Sequence, residues 1–480
     1  MRRKGFFFLL CFSYVISIVI TCVYNDYSIS PLMPITSIFF GLGYAFIKHR
    51  RKRAFHSISV NIIFLMYFIR MVIFPAVYIC CGYTSNVQTS AGTDNLTLAS
   101  LLVCWEYFCV LLFILASKRI SEIDYIIGRK DQQAEISENH SMSNIMVLII
   151  VGLLGIAALC IISNRSVLLS ISTVFRAFIS DSDERIARVI ARRGARSGIS
   201  SITYHLFMQS VFYLQILIPA SLISYITNKR RQLYQYNEKY INWGFVWCLL
   251  ISASSVVVNT SSNSNSVVIM AACFLVTFDC YKNKKKRYLS LVIILVGAFS
   301  FAFLLAKTGV FSREYTDRAY ISKLLGAYFS GLPNISAGFA VQYESKLRTF
   351  FGDIVSGVPF LVYFIPGLPT SVQLFNTVIY GYSGRVNQIM PLVSYGYQYL
   401  FIFAPIFPVA FYSFALWAEK RYRDSSIAFN KVIYALVMVS MSLGPSLYGL
   451  PSLITRTCYY VILLAVIVGI NNKKVTVRKH

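Results

Sequence analysis

Apolar residues in this chain fall in long unbroken blocks, without the alternation of a half-buried strand or the single stripe of a surface helix. Runs of roughly 17–25 residues recur near 5–24, 30–47, 57–81, 97–117, 143–163, 204–227, 241–259, 264–281, 288–306, 392–417, 428–448 and 456–471. At a rise of 1.5 Å per residue each can cross about 30 Å of hydrocarbon. The pattern predicts an all-α polytopic membrane protein with about twelve transmembrane helices. The first run follows Met1-Arg2-Arg3-Lys4 and has the length of a signal-peptide core. It lacks a small-x-small cleavage site, so a retained helix is expected.

Most blocks are joined by short polar turns, with long exceptions at 164–203 and 307–391. The expected organisation is therefore a first membrane section over 1–163, an outer loop over 164–203 and a second membrane section over 204–306. A large outer loop over 307–391 and a last membrane section with its tail over 392–480 complete it. The segment from Lys118 to Ser141 reads as a polar loop of mixed charge, and the other inner connections as short basic clamps.

Charge supplies the orientation. The formal net charge is +26, from 45 Lys and Arg against 19 Asp and Glu. Clusters at Arg2–Lys4, Arg50–Arg53, Lys118–Arg119, Lys229–Arg231, Lys284–Arg287, Lys420–Arg423 and Lys473–Lys474 sit at alternate ends of successive blocks. The short turns near 25–29, 82–96, 260–263 and 449–455 hold no Lys or Arg. This is the positive-inside rule, and it predicts both termini in the cytoplasm of a bacterial inner membrane and no nucleic-acid partner. The 11 Cys lie almost wholly in apolar blocks, and the 5 His form no ligand spacing, so no metal site is expected.

The two long outer loops carry cations against that preference. In the first, the stretch after Ser180 predicts a short helix on which Arg185, Arg188, Arg192 and Arg196 share one face. The second holds Arg313, Arg318, Lys346, Arg348 and Arg385 among many Tyr, Phe and Gly residues. Its apolar stretches, 324–341 and 350–369, are broken by Gly331, Pro333, Gly338, Gly357, Pro359, Pro366, Gly367 and Pro369, which suits re-entrant or interfacial helices. Fourteen crossings result if both stretches span. A guanidinium fork matches phosphate oxygens, so the outer arginines are candidate phosphate ligands, with anionic lipid headgroups as the plainer partner.

Within the membrane, Arg70 and Glu106 lie near the middle of consecutive blocks, where isolated charges cost several kcal/mol. A structural ion pair is expected, with a proton or ion pathway as the alternative. Asp279, beside Lys282, and Arg456 lie near block ends and can reach an interface. The outer carboxylates are Asp181, Asp183, Glu184, Glu314, Asp317, Glu344 and Asp353, with His205 near an outer helix end. Any can serve as a general base if burial moves its pKa toward neutrality, and Glu314 and Asp317, flanked by Arg313 and Arg318, are preferred. The many tyrosines of the second loop suit an interfacial belt or stacking on a sugar.

The stretch Arg318-Ala-Tyr-Ile-Ser-Lys-Leu-Leu-Gly-Ala-Tyr-Phe-Ser-Gly-Leu-Pro-Asn-Ile-Ser-Ala-Gly-Phe339 resembles the outer loop of Wzy-type O-antigen and capsular oligosaccharide repeat-unit polymerases, where a Tyr-Phe-Ser-Gly-x-x-Asn pattern occurs. Asn387-Gln-Ile-Met-Pro-Leu-Val-Ser-Tyr-Gly-Tyr-Gln-Tyr399 is similar to that family's re-entry into the membrane. The resemblance implies a GT-C-like glycosyltransferase that uses no cofactor. Its substrates are undecaprenyl-pyrophosphate-linked oligosaccharides, with membrane lipid and a chain-length regulator protein as further partners. It implies pyrophosphate binding by Arg185, Arg188, Arg192, Arg313, Arg318 and Arg385, with Glu314, Asp317 or His205 taking the acceptor proton. A flippase of the same lipid-linked unit and an O-antigen ligase remain alternatives, and a membrane acyltransferase is a third. Against a flippase stand the unequal loops and the lack of an internal repeat.

Overall fold

A computed structural model describes residues 32–130, 144–163, 172–173, 200–233, 238–254, 258–259, 263–281, 319–381 and 388–477. In chain order its helices are α1 (Met33–Arg50), α2 (Ile58–Cys80), α3 (Leu96–Ala116), α4 (Lys118–Lys130), α5 (Asn144–Ser163), α6 (Ser200–Leu233), α7 (Glu238–Ser254) and α8 (Asn263–Cys280). They continue with α9 (Ala319–Tyr328), α10 (Leu332–Phe339), α11 (Lys346–Gly357), α12 (Leu361–Phe364), α13 (Ser371–Tyr380), α14 (Leu392–Leu400), α15 (Ile406–Asp424), α16 (Ala428–Leu447) and α17 (Leu450–Val477). One two-residue antiparallel pair, β1 (Ser172–Thr173) with β2 (Val258–Asn259), is the only sheet among the described residues.

Among the described residues, five helices are long and apolar enough to cross a membrane: α2, α3, the 146–163 part of α5, the 202–228 part of α6, and α16. Shorter apolar stretches lie in α7, α8 and α17. The block at 392–417 is not one straight span. It divides into α14 and α15, bent by 107° at a short break, with Phe401 in the left-handed region at φ 51°. A hydrophobicity profile records no such break, because apolar residues run through the corner. The segment from Lys118 is likewise not wholly a loop, since its first thirteen residues form α4. The apolar residues of α4 recur on one face, and Ile120 and Ile123 are buried there.

The chain forms two compact units. The first comprises 1–132, 317–420 and 440–462; the second comprises 133–316, 421–439 and 463–480. In the first, α1, α2 and α3 enclose an aromatic core in which Phe40, Phe64, Tyr67 and Tyr107 are buried and stack edge to face or tilted. The α2 N-terminus is capped twice. The Ser57 hydroxyl accepts from Val60 N at 3.3 Å and donates to Glu419 Oε2 at 2.6 Å. The same buried carboxylate accepts from Ile58 N at 2.7 Å and Ser59 N at 3.0 Å, placing a negative charge on the positive helix end. In the second unit α5 to α8 pack as apolar helices, and buried Lys431 pairs with Asp279 at 2.7 Å. Asp279 thus ends on an ion pair.

Candidate functional site

The Tyr328-Phe329-Ser330-Gly331-Leu332-Pro333-Asn334 stretch forms a helix, a break and a second helix. Ser330 takes a left-handed conformation at φ 51°, unusual for a residue with a Cβ. Gly331 follows, and a methyl there would lie 2.5 Å from Phe74 Cζ, so no side chain fits between the break and α2. Pro333 stands in the first turn of α10, where its missing N–H costs nothing. Most of the break's polar groups are met internally, though Asn334 Oδ1 is buried without a hydrogen-bond partner. Gly331 N donates to Gly326 O at 3.0 Å, Asn334 Nδ2 to the same carbonyl at 2.8 Å, and the Ser330 hydroxyl to Ser446 O at 2.9 Å. Ser336 Oγ donates to Ala91 O at 2.6 Å and accepts from Asn95 N at 3.0 Å.

The charged pair of the membrane core holds this break. Arg70 and Glu106, each 1% exposed, meet at 2.9 Å. Tyr67 donates to the other Glu106 oxygen at 2.9 Å, and Arg70 Nε donates to the Ser330 carbonyl at 3.2 Å. Arg70 sits in one turn of π-helix, Ile69–Ile73, inserted into α2. Such a turn is costly and recurs at functional positions. Here it accompanies an arginine that ties a spanning helix to the loop. The 324–341 stretch is carried by α9 and α10, ten and eight residues long, so no continuous helix of spanning length forms there.

The carboxyl chemistry lies in the same unit, on α11. Gly352 lets α11 approach the 368–370 loop so closely that a methyl there would collide with the Pro369 carbonyl. The next residue, Asp353, is fully buried and accepts from Ser371 N at 2.9 Å, at the start of α13. Its Oδ2 and the Tyr395 hydroxyl are both buried, and neither has a partner at regular hydrogen-bond geometry. Desolvation pushes the Asp353 pKa up to about 6; the Ser371 backbone and hydroxyl and the Tyr395 hydroxyl ease the carboxylate only partly. The Tyr395 and Tyr399 rings lie tilted at 4.6 Å, and those of Tyr399 and Tyr343 edge to face at 5.6 Å, forming a line of phenols from the carboxyl to half-buried Tyr343. Burial also raises the Tyr343 pKa, with Tyr399 and Asp353 adding to it.

Among the residues singled out in the sequence, Arg70 and Glu106 are brought together. His205 lies exposed on α6 in the second unit, its ring edge-on to Tyr204. Glu314, Asp317, Arg185, Arg188, Arg192, Arg313, Arg318 and Arg385 lie outside the described residues. Arg456 is buried within the protein: it is 7% exposed, 3.8 Å above the Tyr448 ring and 3.4 Å from Ser440 Oγ. The aromatic face stabilises the cation. Asp353 stood among seven outer carboxylates with nothing local to distinguish it. The adjoining Gly352 was the one available sign of close packing. No cluster of metal-ligating side chains occurs among the described residues.

No protein-family model, curated protein or solved structure matches the chain significantly.

Proposed function

We propose that this chain is a membrane-embedded polymerase of lipid-linked oligosaccharide repeat units, acting at the outer face of a bacterial inner membrane. In this reading about twelve helices place both termini in the cytoplasm. The carrying observation is the Tyr-Phe-Ser-Gly-x-x-Asn stretch: it resembles the polymerase loop, and it is built as a buried helix break tied by Arg70 to the membrane core. Non-helical backbone at membrane depth is tolerated where it is buried in protein or lines a cavity. A cavity open to lipid suits two substrates that both carry an undecaprenyl tail.

In the proposed reaction the non-reducing-end hydroxyl of one lipid-linked unit attacks the anomeric carbon of the growing glycan. The new glycosidic C–O bond forms as the bond from that carbon to pyrophosphate oxygen breaks. Undecaprenyl pyrophosphate leaves with the bonding electrons. Guanidinium groups from Arg185, Arg188, Arg192, Arg313, Arg318 and Arg385 stabilise its charge. The acceptor proton passes along Tyr343, Tyr399 and Tyr395 to Asp353, whose pKa near 6 places it close to neutral pH. A chain-length regulator is the expected protein partner.

The test is gene deletion, with surface glycan and extracted lipid-linked intermediates compared on gels. The expected result is single repeat units at the cell surface, restored to long chains by the intact gene. Long chains retained on the lipid carrier would assign the ligase reaction instead. Single units trapped at the cytoplasmic face would assign the flippase, and an unaltered ladder would remove all three.

A further inference from the structure

The end of α1 runs straight into a basic sequence, His49-Arg50-Arg51-Lys52-Arg53, and a 3-10 turn over Lys52–His56 folds it back toward α4. Between them lies a cavity of about 500 Å³, within the range of small-molecule sites. Its five basic residues do different work. Arg51 is committed to the fold: its guanidinium donates to the Ile114 and Leu115 carbonyls and, at 2.8 Å, to Ser117 O, capping the negative C-terminus of α3. Arg53 is engaged by Asp124 at 3.4 Å. Arg50, Lys52 and His49 line the same cavity, are exposed, and have no hydrogen-bond or ion-pair partner among the described residues.

The opposing charge is already consumed. Asp124, the one carboxylate lining the cavity, gives one oxygen to His56 at 2.8 Å and the other to Arg53. Ser121 Oγ, also at the wall, accepts from Arg51 at 2.7 Å. What remains is a concave site with two uncommitted basic side chains, Arg50 and Lys52, an imidazole, and the Tyr125 phenol at its edge. Crowding shows in the neighbouring Lys48, whose pKa is lowered by partial burial and then by the Lys52 ammonium. A bound anion would relieve that repulsion, and a tetrahedral phosphate can be gripped by Arg50 and Lys52 together.

We propose that this cavity is a phosphate-binding site, taking either the headgroup of an anionic phospholipid or a free phosphate compound. The charge pattern puts it at the cytoplasmic ends of α1 and α3, opposite the proposed polymerisation, and it does not depend on that reading.

The test uses the full chain in neutral detergent. Binding of phosphatidylglycerol is read by native mass spectrometry, and binding of inorganic pyrophosphate by calorimetry. The variants are Arg50→Gln with Lys52→Gln, and Lys473→Gln with Lys474→Gln, which removes equal charge from another basic stretch. One equivalent of a probe is expected to bind the parent chain. Affinity should fall about tenfold or more in the first double variant and less than about twofold in the second. Arg50→Lys with Lys52→Arg should keep most of it, which separates charge from misfolding. Binding of the lipid alone assigns a headgroup site; binding of pyrophosphate as well assigns a site for free phosphates. Failure of both probes to bind, or equal losses in the two double variants, would overturn the proposal.

Discussion

Two buried acidic groups in the first unit are treated in opposite ways. Glu106 has an arginine on one oxygen and a tyrosine on the other, and that arginine reaches on to the Ser330 carbonyl. Asp353 has one backbone N–H on one oxygen, no regular partner on the other, and no cation within salt-bridge distance among the described residues. A carboxylate with a partner on each oxygen serves as a fixed joint. One desolvated without a counter-charge sits between its two protonation states near neutral pH.

Removing one member of the paired site is the largest test. Arg70→Ala leaves Glu106 uncompensated, and unfolding in detergent should show a loss of about 3–5 kcal/mol. Pairing Arg70→Met with Glu106→Gln should recover much of it, because no buried charge is then left. An Arg70→Ala chain as stable as the parent would mean that the pair does not hold the core.

The unpaired site predicts a gain where the paired one predicts a loss. Between the unfolded-chain value of 3.8 and about 6, native Asp353 keeps a proton that the unfolded chain has released. Stability therefore falls as pH rises through that window, by a total of roughly 3 kcal/mol. Asp353→Asn should abolish this loss, matching the parent below pH 4 and exceeding it above pH 6 in thermal unfolding. If the carboxyl also takes the acceptor proton, the same variant accumulates single repeat units in cells. A variant that is stabilised but still polymerises would leave Asp353 structural.

Smaller effects probe how each region is joined. Gly331→Ala drives a methyl against Phe74, so a loss of about 1–3 kcal/mol is expected, partly recovered by Phe74→Leu. Ser57→Ala removes one of two caps on α2 and should cost about 1 kcal/mol, since Glu419 keeps two backbone donors. An equal or larger loss from Ser57→Ala than from Gly331→Ala would reverse that order.

Much of this architecture was legible in the order of residues, because an apolar run of spanning length has few alternatives in lipid. The helical blocks at 57–81, 97–117 and 428–448 reappear as α2, α3 and α16 within a few residues. The meeting of Arg70 and Glu106 also follows from elementary cost, since two opposite charges at one depth are each other's cheapest partner. Hidden from the sequence were the features that depend on approach between distant segments. The 107° corner at Phe401–Phe403 lies in apolar residues throughout. The contact of Glu419 with the start of α2 and that of Arg456 with Tyr448 also join segments that local sequence does not link.

Local composition thus determined that the chain is helical, where its apolar blocks fall, and which charges need partners, because each follows from the transfer cost of single residues along a helix. Tertiary structure decided that Asp353 is desolvated and that Arg51 and Arg53 are already spent. A pKa, or a charge available to a ligand, is set by neighbours from other segments of the chain, as Ser371 and Tyr395 are for Asp353, and no property of the residue itself records them.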